Sequence, residues 1–120
     1  MKFVIPLKPE SWNNIVGKNR WVYQKIKDTW ERETFYAIKA ARLKPQNGPC
    51  RVIFTARYKE RRRHDLDNIF VKKTMDCMVK QGIFPDDNLT IVMEVIFHGQ
   101  VGCERDELIV EIEPFQFYAH

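Results

Sequence analysis

Four aspartates are spaced so that they could do chemistry together. Asp65, Leu66 and Asp67 form an acid–apolar–acid run, and Asp86 and Asp87 form a second acidic pair further along the chain. In extended backbone, alternate side chains point the same way and lie about 7 Å apart. Asp65 and Asp67 could then approach one cation from the same side while Leu66 turns towards the core. Mg²⁺ takes oxygen ligands at about 2.1 Å and usually keeps several waters, so two or three carboxylates suffice. Coordination positions remain for a phosphate oxygen and an attacking water. The plainer account is that Asp67 or Asn68 caps a helix and that Asp86 and Asp87 shape a turn. A bare acid–x–acid run is weak evidence, but Arg61-Arg62-Arg63 leads straight into this one. Chemistry on a phosphodiester needs cations for the phosphates beside anions for a metal. Few structural explanations require both at once.

Lys72 and Lys73 follow the acids, and either ammonium could stabilise charge developing on a reacting phosphate. Lys72 also stands four residues before Asp76, the spacing of a surface ion pair on a helix. Upstream, Arg57, Lys59, Arg61, Arg62 and Arg63 are opposed only by Glu60. His64 joins them as a candidate phosphate contact. Such a stretch makes polyanion binding steeply salt-dependent. A second mixture, Lys18, Arg20, Trp21, Tyr23, Lys25 and Lys27, suits phosphates and unstacked bases. Packing of Trp21 and Tyr23 under their loop is the expected arrangement there.

These residues need a scaffold, and the chain supplies signals for one. Residues 2–7 read as a short strand stopped by Pro6 and Pro9, and residues 10–20 as a polar loop. A helix is expected from Asp28, with Glu31 completing a capping box and Trp30, Thr34, Ala37, Ile38 and Ala41 on one stripe. Pro45, Asn47, Gly48 and Pro49 close it. Residues 51–58 are a strand, rich in β-branched and aromatic residues, and residues 59–64 a basic turn. A second helix, started by Asp67 or Asn68, carries Val71, Met75, Met78 and Val79 on its apolar face. Gly82 sits where a left-handed C-terminal cap belongs. Strands over residues 90–98 and 107–113 complete the order β-α-β-α-β-β. The expected fold class is α+β, a small mixed β-sheet with two helices packed on one face.

The 120 residues are expected to form a single domain over residues 1–120. A composition of 44% hydrophobic and 30% charged residues argues against wholesale disorder. No apolar run approaches the roughly 20 residues of a membrane span. The start, Met-Lys-Phe-Val-Ile-Pro, lacks the features of a signal peptide, so a cytoplasmic location is expected. Cys50, Cys77 and Cys103 are scattered, without the spacing of a disulfide framework or a zinc site, and His64, His98 and His120 form no ligand cluster. Charge is divided unevenly along the chain. Residues 1–64 hold 16 of the 20 Lys and Arg but 5 of the 16 acids, whereas residues 65–120 hold 4 bases and 11 acids. A basic surface for a polyanion beside an acidic pocket would give this pattern, and so would two halves that interleave and cancel.

The run His64-Asp65-Leu66-Asp67-Asn68, a helix with Lys and Asp, and then Gly82-Ile83-Phe84-Pro85-Asp86-Asp87 resembles the RusA-type Holliday junction resolvases, small phage and bacterial enzymes. The resemblance is strongest over residues 61–92. It is looser upstream, where Pro6-Leu7-Lys8-Pro9 and residues 11–14 are similar to the family's proline-and-asparagine segment. It implies Asp65, Asp67 and Asp87 as metal-binding catalytic acids, with Asp86 a neighbouring or alternative ligand. The family's catalytic lysine maps to Lys72 counted back from Asp76. Counted forward from Asp67, Lys72 comes one residue late, which keeps Lys73 as the other candidate. His64 stands where members commonly have Arg, and Arg63 could take over that contact. The resemblance further implies Mg²⁺ as cofactor with Mn²⁺ substituting, branched DNA (a four-way junction) as substrate, a homodimer making paired nicks in recombination and repair, and a bacterial or phage-infected cell as the setting. A non-catalytic branched-DNA-binding accessory protein, or a flap or fork nuclease, would share many of these features.

Overall fold

A computed structural model describes residues 1–46, 48–62, 64–86 and 88–115, with Asp67 described by its backbone alone. Among these residues are four strands, β1 (Lys2–Ile5), β2 (Cys50–Arg57), β3 (Val92–Gln100) and β4 (Glu107–Pro114), and three helices, two between β1 and β2 and one between β2 and β3. The helices are α1 (Trp12–Val16), α2 (Arg20–Ala41) and α3 (Lys72–Lys80), and a 3₁₀ turn at Leu66–Asn68 precedes α3. The sheet order is β1-β4-β2-β3. β4 runs antiparallel to both β1 and β2, whereas β2 and β3 are parallel, so the sheet is mixed. The fold class is α+β, as the sequence pattern indicates.

Strand alternation sorts the sheet into two faces. Phe3, Ile5, Val52, Phe54, Ala56, Leu108, Val110 and Ile112 are buried on one face with Trp30, Ile38, Met78 and Phe84. Each large side chain buried this way stabilises the fold by about 1.5–3 kcal/mol before packing differences are counted. The opposite face carries Lys2, Val4, Arg51, Ile53, Ile96, Ile109 and Glu111, none of them buried. α2 and α3 meet through a buried hydroxyl pair, Thr34 Oγ1 to Thr74 Oγ1 at 3.2 Å. Because both groups are out of water, one hydroxyl donating to the other leaves neither without a partner.

The region between β1 and β2 differs from the sequence expectation. The polar loop contains a helical turn, α1, whose Ile15 is fully buried. α2 begins at Arg20, not Asp28, because the Asn19 side chain accepts the Val22 N–H at 3.0 Å. Asp28 lies inside the helix and accepts from Gln24 Nε2, so it caps nothing. The buried stripe extends towards the N-terminus through Tyr23 and Ile26. At the other end of α3, Gly82 takes φ +75°, with its N–H on the Val79 carbonyl and the Ile83 N–H on the Met78 carbonyl. This is the left-handed glycine cap expected from the sequence.

Candidate active site

The segment from Tyr58 to Phe70 is held on three sides. On the first, the Phe70 N–H donates to the Glu10 carbonyl at 2.8 Å, Ser11 and Ile69 form a β-bridge, and Asn68 Nδ2 donates to Ser11 Oγ at 2.8 Å. Trp12 reinforces this contact by stacking on Phe70 with ring centroids 5.2 Å apart. On the second, Leu66 packs over Gly99 of β3 so closely that a Cβ at residue 99 would lie 2.6 Å from Leu66 Cδ2. On the third, the His64 imidazole lies against Tyr58, and its Nε2 is 3.3 Å from Glu60 Oε1, which Lys8 Nζ approaches at 2.9 Å. Lys8 also holds the Glu60 carboxyl below the ordinary carboxylate range. Burial among acids pushes the Tyr58 phenol up to about 12.

Leu66 thus turns inward as its place between two acids suggests, but the extended run expected here is interrupted. Asp65 is extended (φ −96°, ψ 119°) and residues 66–68 coil into the 3₁₀ turn. Neither Asp67 nor Asn68 caps α3: that helix starts after Val71 without a side-chain cap, and Asn68 is engaged with Ser11. Asp65 makes no side-chain cap bond either. Its exposed carboxylate has no hydrogen-bond or ion-pair partner among the described residues. An oxygen donor left open on an anchored backbone fits a hard divalent cation. Asp86 is also exposed and accepts from Asn88 Nδ2 at 3.1 Å, while Asn88 Oδ1 accepts from Thr90. Asp87, Arg63 and the Asp67 side chain lie outside the described residues. Among those described, no three metal-ligating side chains cluster.

Beside this segment, Tyr58, Arg61, Arg62, His64, Leu66 and Gly99 line a cleft of about 370 Å³. Arg61 and Arg62 are exposed there, and the Arg61 guanidinium lies over Gly102, whose φ is +66°. Arg57 is committed to Glu107 at 2.6 Å, and the Lys59 N–H donates to Asp106. Lys72 is exposed with Asp76 at 3.8 Å, the ion pair its spacing suggests, whereas Lys73 is half-buried and its charge acts on Glu31 of α2. The charge asymmetry of the sequence is partly cancelled across the sheet, where Arg51 pairs with Glu94 and Arg57 with Glu107. Tyr23 packs as expected, edge-on to Trp12 at 6.5 Å, but Trp21 does not: it is 84% exposed.

An acidic segment pinned beside a basic cleft, on a small mixed sheet with a parallel β-α-β crossover, defines a candidate for metal-assisted chemistry on nucleic acid. The family profile of endodeoxyribonuclease RusA matches residues 3–113, nearly the whole chain. The protein belongs to this endodeoxyribonuclease family and is a nuclease of its class. No curated protein matches the chain. No helix among the described residues is long and apolar enough to cross a membrane.

Proposed function

We propose that this chain, as one endonuclease domain over residues 1–120, resolves four-way DNA junctions by paired, Mg²⁺-dependent nicks. The observation that carries the reading is Asp65, an open carboxylate on a backbone braced by Ser11, Gly99 and Tyr58 beside the Arg61–Arg62 cleft. Asp65, Asp67 and Asp87 would hold the metal, with Asp86 as neighbour or alternative ligand. Bound there, Mg²⁺ (or Mn²⁺ in its place) supplies Lewis acidity towards a phosphate oxygen and a water. Arg61, Arg62 and Arg63 hold phosphates, with Arg57, Lys59 and His64 flanking them. Lys72 offers its ammonium to the developing negative charge. Its exposure supports it over Lys73, which is half-buried.

The outward sheet face, with Val4 41% exposed beside Ile109, Ile53 and Ile96, supports pairing with a second copy. A two-fold pair would present two sites to symmetric junction arms. The setting is the cytoplasm of a bacterial or phage-infected cell.

The test is a labelled synthetic four-way junction incubated with wild type and Asp67→Asn, in Mg²⁺ or EDTA. Symmetric Mg²⁺-dependent nicking that the substitution abolishes is the expected result. Tight binding without cutting, identical in the variant, would mean a DNA-binding accessory protein. Faster cutting of flaps or forks than of four-way junctions would reassign the substrate.

A further inference from the structure

Trp21 is the one tryptophan that the fold does not use. Trp30 is 3% exposed in the core and Trp12 is stacked on Phe70, whereas Trp21 is 84% exposed in the first turn of α2. It stands two residues before Tyr23, about 200° around the helix from the ring that faces Trp12, and therefore points away from the packed side. An indole held in water contributes little to folding, so its residue type calls for another explanation.

The surroundings favour a polyanion. Residues 11–27 contain Lys18, Arg20, Lys25 and Lys27 and no acid. Among the described residues, Lys18, Arg20 and Lys25 have no acidic partner, unlike Lys8, Arg51, Arg57 and Lys80. The first turn of this 22-residue helix has no acid and carries the partial positive charge of its N-terminal end. Arg20, Trp21 and Gln24 outline an open hollow of about 260 Å³. The patch is also coupled to the candidate site. Tyr23 meets Trp12, and Trp12 stacks on Phe70, at the end of the segment that begins with Asp65.

We propose that Trp21 stacks on a nucleobase unstacked at the branch point, while Lys18, Arg20 and Lys25 hold the flanking phosphates. The inference rests on the nuclease reading and names the part of the substrate that this face recognises. In linear duplex every base face is already covered by its neighbours, so the indole has nothing to stack on. At a branch point it does, and the contact therefore discriminates structure rather than sequence.

The experiment measures binding in EDTA to a four-way junction carrying 2-aminopurine at the branch point and to a linear duplex of equal length. Wild type, Trp21→Ala and Trp21→Phe are compared. Trp21→Ala is expected to weaken junction binding about tenfold or more, to leave duplex binding nearly unchanged, and to abolish the 2-aminopurine signal. Trp21→Phe should restore part of each. In turnover with Mg²⁺, KM should rise with kcat nearly retained. Equal losses on junction and duplex would overturn stacking. Unchanged DNA binding, with self-association lost on gel filtration, would make Trp21 a protein contact and overturn it too. A wild type that neither binds nor cuts any DNA would sink the nuclease reading and this one with it. A chain that cuts junctions equally well with or without the indole sinks this one alone.

Discussion

The imidazole of His64 lies flat on the phenol ring of Tyr58, with centroids 3.7 Å apart and planes 5° from parallel. Tyr58 is buried just past the end of β2, so the stack fixes the residue immediately before Asp65 to the sheet. An aromatic pair of this kind contributes about 0.5–1.5 kcal/mol beyond its buried area. His64→Ala is therefore expected to lower the unfolding free energy by about 1 kcal/mol, and to reduce junction cleavage more than that loss explains. His64→Phe, which keeps a ring on Tyr58, should recover most of the stability. Chemical denaturation and single-turnover cleavage of the three proteins would check this. Cleavage by His64→Ala at the wild-type rate would refute it.

Gly99 lies beneath Leu66, and a methyl group there meets the Leu66 side chain inside contact distance. Leu66 can give way by rotating, but it stands between the two acids. Gly99→Ala should thus cost about 1–3 kcal/mol as an overpacked site and lower cleavage at least tenfold while the chain stays folded. Circular dichroism with a cleavage assay separates the two effects. A fully active, equally stable variant would show that Leu66 does not position the acids.

The two lysines can be told apart directly. Lys72→Ala should lower kcat about a hundredfold, the usual range for losing one charge-stabilising group being 10²–10³, with junction binding nearly unchanged. Lys73→Ala should be close to wild type. The reverse ranking, measured under single-turnover conditions, would transfer the role to Lys73.

Tyr58 makes stability depend on alkaline pH. Its phenol is held up to about 12 by burial and by the nearby acids, against an ordinary 10.0. Above pH 10 the unfolded chain ionises this group while the folded chain does not. Its contribution is therefore complete below pH 10 and declines as pH rises to about 12. Denaturant midpoints at pH 9 and pH 11 should fall less in Tyr58→Phe than in wild type, and equal falls would show that this phenol is not the group responsible.

The Thr34–Thr74 pair gives a test of the helix interface. Thr34→Val leaves the Thr74 hydroxyl buried without its partner and should cost about 1–3 kcal/mol. Replacing both by Val should cost less than the sum of the single changes. A strictly additive double-mutant cycle would show that the hydroxyls do not interact.

Much of this architecture is legible in the residues, for identifiable reasons. β2 and β4 carry dense β-branched runs, and Gly82 supplies the positive φ that ends α3. The start of α2 is less legible because Lys18, Arg20, Lys25 and Lys27 interrupt the apolar stripe, and the cap is Asn19 rather than the more conspicuous Asp28. The acids were recognisable by type and spacing. The features that hold them were not, since Leu66 over Gly99, Asn68 on Ser11 and Trp12 on Phe70 join residues far apart in the chain. Only tertiary pairing reveals such contacts. His64 on Tyr58 was the exception within reach, as the two rings lie in one short stretch, although its basic neighbours drew attention first to phosphate.

The pairing of β1 with β4 bears on how the protein folds. The first strand finds its hydrogen-bonding partner in the last, from Lys2 opposite Glu111 to Ile5 opposite Leu108, and β4 also separates β1 from β2. Everything through β3 lies between β1 and this partner strand in the chain, although α2 packs on β1 directly. Glu10 and Ser11, which follow β1, brace the acidic segment through Asn68, Ile69 and Phe70. Pairing between strands so far apart in sequence is the slow kind of contact to form, so closing this edge of the sheet is expected to be a late event in folding.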